Sequence, residues 1–350
     1  MTLPLTGSVP EMYSSDHLLA LPRSRGVARP GIEALAQAWY PEAGWVSEPS
    51  SGPAERPMAG ARFRGVVPDD VRRPGVLRLA EGVEVVGPFV VPAPQSLALD
   101  LASSVAELWA VRVAHRSRDR LPAEVDDRDG LARVFAAGLP AEVDDRDGLA
   151  RVFAAGLPDD VELRVVRWMV AAARKVGGTL FVDGVVPLAP EPAAAVDLTL
   201  YSAQALTPDA ALGSLQTVVP GARVVEVVER PDRLVDFALD GETAYDGALR
   251  VVVRKVDVVP AVLGALDWRE YGPFAYRMSW VPADSYELEV EEPSGLHLIA
   301  RSRMRASVAR LASVLQGRAA GVLVDDGGFE VTSAEVDERI AAVSTARFWV

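Results

Sequence analysis

The sequence predicts an α+β protein built from two tandem ferredoxin-like repeats, each ordered β-α-β-β-α-β, with a helical insertion in the first. Three observations predict it. Each half has an early and a late helical segment with apolar residues on one face. Val-rich, strand-like segments lie between them. Each late helix is followed by a short apolar strand that runs into a turn, GTLFVDG and GVLVDDGG. Two faint copies of one order support each other, because errors in reading them are largely independent. The alternative is a single larger α+β sheet domain with a chance internal echo.

The first half opens with MYSS at residues 12–15, followed by a helix after Pro30. There Ile32, Leu35, Ala36 and Trp39 recur at helical spacing. The strand segments VEVVGPFVV (83–91) and ELWAVRVAH (107–115) come next. After Pro158 a long helix presents Leu163, Val166 and Val170 on one face, and glycines end it. The second half opens with LYSA at residues 200–203. Thr207-Pro208-Asp209 is a helix start in which Thr caps, Pro takes the first turn and Asp favours the dipole. Leu212, Leu215 and Val219 form its apolar stripe. Strands are expected at 222–229, 234–239 and 249–256. Ser294 opens the last long helix, with Leu296, Ala300, Met304, Val308, Leu311 and Leu315 on one face and Gly317 as its left-handed cap.

These elements divide the chain into a first repeat at 1–188, a linker at 189–196 rich in Pro and Ala, and a second repeat at 197–350. Between the third strand and second helix of the first repeat, LPAEVDDRDGLARVFAAG occurs twice, at 121–138 and 139–156. Each copy reads as a short helix: Asp126 or Asp127 (then Asp144) caps, Leu131, Val134 and Phe135 (then Leu149, Val152 and Phe153) form the face, and Gly138 (then Gly156) stops it. The second repeat has its own excursion at the same place, 260–293. Letter-perfect identity suggests a recent or engineered duplication tolerated as an insertion. The Asp-rich run is not a calcium loop, since the first and last ligand positions fall on Val125 and Ala136.

Composition narrows function by exclusion. A formal net charge of −13 disfavours nucleic acid and anionic membranes as partners. There is no cysteine, so disulfides and thiolate chemistry drop out. No basic-then-apolar leader and no apolar run of membrane-spanning length is visible, so the expectation is a cytoplasmic protein. The three histidines are scattered. His17 is expected in an N-terminal loop, His297 on the surface of the last long helix, and His115 at a strand end where ligand-facing residues often sit. No hydrolase, zinc or phosphate-cradling motif occurs, so neither a metal nor a cofactor is expected.

Two features remain as candidate binding surfaces. Alternation puts Arg112, and likewise Arg250 and Arg254, on the sheet face opposite the helices. Arginine forks suit a small anionic ligand, although cross-strand pairing with Glu84 or Glu226 would occupy them equally well. The stretch LDWREYGPFAYRMSW (266–280) reads as a loop, in which Trp268, Tyr271, Tyr276, Arg277 and Trp280 have the composition of a binding hot spot. A lid folded onto the core is the competing reading of that loop. The expectation is a non-enzymatic interaction or ligand-binding protein, whose partner is an unknown protein or a small anion held in the cleft between repeats or by the aromatic segment. An enzyme acting there on a small anionic substrate is the alternative, with Arg112 or Arg254 holding the anion and His115 or Tyr271 moving a proton.

Overall fold

The computed structural model describes residues 9–23, 30–52, 71–91, 106–114, 149–153, 158, 160–229, 235–288 and 293–345. They form two compact units that divide between Pro190 and Glu191. Each unit is mixed α+β around an antiparallel sheet. No helix among the described residues is long and apolar enough to cross a membrane.

After a 3-10 turn at Glu11–Tyr13, the first unit runs β1 (His17–Pro22), α1 (Ile32–Gln37), β2 (Gly44–Ser47), β3 (Ser50–Gly52), β4 (Val71–Arg73), β5 (Gly75–Ala80), β6 (Val83–Val91), β7 (Ala106–Val113), α2 (Leu149–Val152), α3 (Asp160–Val176), β8 (Thr179–Val182) and β9 (Val186–Leu188). Its main sheet has the order β2-β5-β6-β7-β1-β8-β9, while β3 and β4 pair separately. The second unit runs β10 (Leu198–Ser202), α4 (Pro208–Gln216), β11 (Arg223–Glu229), β12 (Val235–Glu242), β13 (Ala248–Lys255), α5 (Trp268–Tyr271), β14 (Phe274–Val281), α6 (Gly295–Ala319), β15 (Val322–Asp325) and α7 (Ser333–Thr345). Its sheet order is β11-β12-β13-β14-β10-β15. Set aside β9 and the β3–β4 pair, and the two sheets share one order, in which the unit's first strand lies between its fifth and its last.

Local chemistry explains most boundaries. Thr207 caps α4 through its side-chain oxygen, which accepts from the Ala210 amide at 3.3 Å, with Pro208 in the first turn. Asp183 and Gly184 both hold positive φ, 52° and 68°, as the tight turn between β8 and β9 requires. Strand β1 is buried at every residue, so it shows no alternation to read. In β13 Leu249, Val251 and Val253 are buried while Arg250 and Arg254 are exposed, as a one-sided strand should be.

Several expectations need correction. Residues 266–280 are not a loop, because Phe274–Val281 is β14, paired with β13 on one side and β10 on the other. Aromatic residues favour strands, and Gly272-Pro273 marks the start of this one rather than the middle of a loop. The excursion at 260–293 therefore contains an inner strand of the sheet, and β14, not β13, is the counterpart of β7. Gly317 does not cap α6, which continues to Ala319 and ends at Ala320 with φ 52°. Leu296 does not join the buried face, standing 81% exposed in the first turn. His17 is not in a loop, and His297 is not on the surface. His17 begins β1 fully buried, and His297 packs its ring 4.9 Å from that of Trp280. Residues 191–196, expected in the linker, carry buried Ala194, Ala195 and Val196, and Arg305 donates to the Ala195 carbonyl.

Of the doubled segment, the first copy and most of the second lie outside the described residues. The second copy contributes α2 and the buried Phe153, whose ring stands edge-on to His17 at 6.5 Å. Deleting either copy gives the same chain, because the two are identical and adjacent. The sequence RVFAAGLPDD that leads into α3 survives both deletions. The deletion roughly halves the connection from β7 to α2, worth about 0.6 kcal/mol of closure entropy. A melting temperature unchanged or raised by roughly 1–2 °C is the expected outcome of thermal denaturation. A fall of many degrees would show that both copies pack as core.

Candidate functional site

A cleft of about 400 Å³ opens on the helix side of the first sheet. Ile32 and Glu33 of α1, Trp45 of β2, Pro88 of β6, and Glu107 and Trp109 of β7 line it. Trp109 and Glu107 are cross-strand partners of Leu19 and Leu21, which fixes them on one sheet face. The pairing of β6 with β7 is irregular between Val86 and Phe89, so Gly87 and Pro88 together face Trp109. Such a bulge bends its strand and re-aims side chains. Glycine is required at this point, since a Cβ on Gly87 would stand 2.7 Å from the Trp109 ring.

Two indoles form the apolar walls, with the Trp45 and Trp109 centroids 6.3 Å apart and the planes tilted by 45°. Trp109 is 4% exposed, and its ring nitrogen has no hydrogen-bond partner. An unpaired buried donor costs about 1–3 kcal/mol, and native structures carry few of them. Glu33 is half-buried and accepts from the Gln37 amide at 3.5 Å, while Glu107 has Arg23 at 3.4 Å. No cationic side chain is among the described residues that line the cleft.

The cleft depends on α1, and α1 depends on α3. A six-residue helix is too short to be stable alone. The Trp168 indole of α3 donates to the Leu35 carbonyl at 2.8 Å, and Arg164 donates to that of Trp39 at 3.0 Å. The first satisfies a carbonyl in the last turn of α1, and the second holds the chain just beyond it. Tyr40, just beyond, packs edge-on against Trp168 at 6.2 Å with Arg164 over its ring at 4.9 Å. Burial pushes the Tyr40 hydroxyl from 10.0 up to about 12, partly offset by the charge of Arg164. A pKa raised on folding stabilises the fold fully below the unfolded value and loses that contribution as pH rises. Stability should therefore fall between pH 10 and about 12, and less steeply in Tyr40→Phe, as denaturation along an alkaline pH series would show. An identical alkaline loss in the variant would contradict this.

A second cluster lies on the same side of the sheet. His17 is fully buried between two carboxylates, with its Nε2–H donating to Glu162 at 3.1 Å. Its Nδ1 accepts from the Asp183 amide at 3.1 Å, with the Asp183 carboxylate 3.7 Å away. The imidazole thus carries its proton on Nε2. The ligand atoms of the three residues lie within 4.8 Å of one another, as a metal site would need. As ligands for one cation they are poorly disposed, because the carboxylates face opposite ring nitrogens and both nitrogens are engaged. The arrangement is that of a polar staple joining β1, α3 and the β8–β9 turn. It was missed in the sequence because His17 and Glu162 are 145 positions apart.

The described residues among those singled out from the sequence do not converge on either cluster. Arg112, over the Tyr13 ring, lies 3.8 Å from both Glu84 and Asp16. Arg250 grips its cross-strand neighbour Asp240 through two bonds of 2.8 Å, which hold that carboxyl below its usual range. Arg277 has Asp197 at 3.7 Å. Arg254 lines a shallow hollow of about 120 Å³ that it shares with Glu226 and Asp236. Tyr276 is fully buried, its hydroxyl donating to Gln204 and accepting from the Leu206 amide. Trp280 is 5% exposed, and its indole N–H donates to the Asp246 backbone carbonyl. Trp268, 60% exposed, and half-buried Tyr271 belong to α5. His115 lies outside the described residues. The cleft itself had one legible signal, a Gly-Pro pair inside a Val-rich strand.

No protein-family model matches the chain, no curated protein matches it, and no solved structure matches it.

Proposed function

We propose that the protein is a non-enzymatic ligand-binding protein made of two copies of a ferredoxin-like unit, with its site in the tryptophan-walled cleft of the first. The shared strand order of the two sheets, with the first strand between the fifth and the last, supports a repeated fold, although each sheet carries at least two strands beyond the four of the expected β-α-β-β-α-β unit. The observation that carries the binding role is the cleft, a concave site with two aromatic walls and a few polar groups. Among the described lining residues the ionisable side chains are Glu33 and Glu107, which suit fixing a polar group of a bound ligand. The pairing of Arg112, Arg250 and Arg277 with carboxylates weakens the case for an anion held on the sheet faces.

The test is a thermal-shift survey of small metabolites on the full chain, with Trp45→Ala as control. A cleft ligand at a hundredfold excess over its Kd should stabilise the wild type by about 2.7 kcal/mol and leave the variant unmoved. Equal shifts in both proteins, or none in either, would reject the cleft.

A further inference from the structure

We infer that the ligand of this cleft is a small organic cation, an ammonium group carried on an apolar or hydroxylated body. The inference rests on the binding role proposed above. It draws on three features of the site and the chain.

The walls are the first. Trp45 and Trp109 stand at 45° to one another with centroids 6.3 Å apart, so they form a corner rather than a slot for a flat ring. The face of tryptophan carries the strongest negative quadrupole among the aromatic side chains. A cation in that corner is attracted by each wall it covers, by about 0.5–1 kcal/mol where exposed and about 2 where desolvated. A neutral ligand of the same shape gains only area burial.

The polar groups are the second. Glu33 and Glu107 are carboxylates, and the described lining residues include no cationic side chain. Arg23, 3.4 Å from Glu107, offsets part of that charge from outside the lining set. Glu33 is half-buried and its carboxylate lines the cleft, with the neutral Gln37 amide at 3.5 Å. An anion in the same place would meet like charge at short range.

The third is the field of the whole chain. A net charge of −13 raises the local concentration of cations and repels anions. Of the arginines that suggested an anionic ligand, Arg112 is held by carboxylates on the opposite sheet face, and Arg250 is held by Asp240 in the second unit, where Arg254 also lies.

Calorimetric titration of the full chain with three probes of one shape tests this. The probes are choline, its neutral carbon isostere in which tert-butyl replaces trimethylammonium, and tert-butylacetate as the anion. The expected result is that choline binds at least about tenfold more tightly than the isostere, with the anion weakest. Glu33→Gln should weaken choline about threefold to tenfold and leave the isostere unchanged, and Trp45→Ala should abolish both. Equal binding of choline and the isostere would overturn the cation inference and leave the binding role standing. So would preference for the anion, or silence of all three while the metabolite survey finds a Trp45-dependent ligand of other chemistry. Silence here and in the survey would overturn both.

Discussion

Replacing His17 by alanine lowers the stability of the first unit by about 3–5 kcal/mol. The side chain is fully buried and holds the carboxylate of Glu162, itself 1% exposed, through Nε2. Removing it withdraws a donor from a buried acid and an acceptor from the Asp183 amide. It also leaves a hole beneath the Phe153 ring. Chemical denaturation followed by circular dichroism measures the loss. The comparison that isolates the polar term is the double replacement His17→Leu with Glu162→Leu. Removing both partners of a buried pair costs less than stranding one, so the double variant should be more stable than His17→Leu alone. Additive losses would show that the pair is not coupled, and a loss under about 1 kcal/mol for His17→Ala would show that burial at this site is loose.

Trp168→Ala is expected to cost a similar 3–5 kcal/mol and to impair the cleft as well. The indole is fully buried, bonded to the Leu35 carbonyl and stacked edge-on with Tyr40. Without it α1 loses both a packing partner and a cap for its C-terminal end. Ile32 and Glu33 stand on that same short helix and line the cleft. The loss of stability should therefore come with weaker binding of whichever ligand the cleft takes. Trp168→Phe keeps most of the ring area and loses the hydrogen bond, so it should fall between the wild type and the alanine variant, near 1–2 kcal/mol. Binding measured well below each variant's melting temperature separates the local effect from global unfolding. Full affinity in a folded Trp168→Ala protein would show that α1 is held in place by other contacts.

How far the fold was legible depended on whether a segment shows one face to solvent. In β13 the alternation of LRVVVRK matches burial residue by residue, and the α4 start was readable from Thr207-Pro208-Asp209. Strand β1 was not legible, because burial on both faces removes the period of two. Strand β14 was hidden by its composition: Tyr276, Met278 and Trp280 lie on the core side, but rings next to charges suggested a surface. Arg112 and Arg250 sat on the expected face; Glu84 was readable as a partner and lies 3.8 Å from Arg112, whereas only strand register could assign Asp240 to Arg250.

The sequence by itself determined the α+β class, the starts of α4 and α6, the sidedness of several strands and the acidic field that bears on any ligand. Those properties follow from short-range periodicity, capping and summed charge, which a linear reading contains. Tertiary structure alone decided that Trp45 stands beside Trp109, that Glu162 reaches His17, and that α3 caps α1. Each of these joins residues far apart in the chain. Their meeting depends on strand order, register and a bulge at Gly87-Pro88, and no local spacing encodes such a contact.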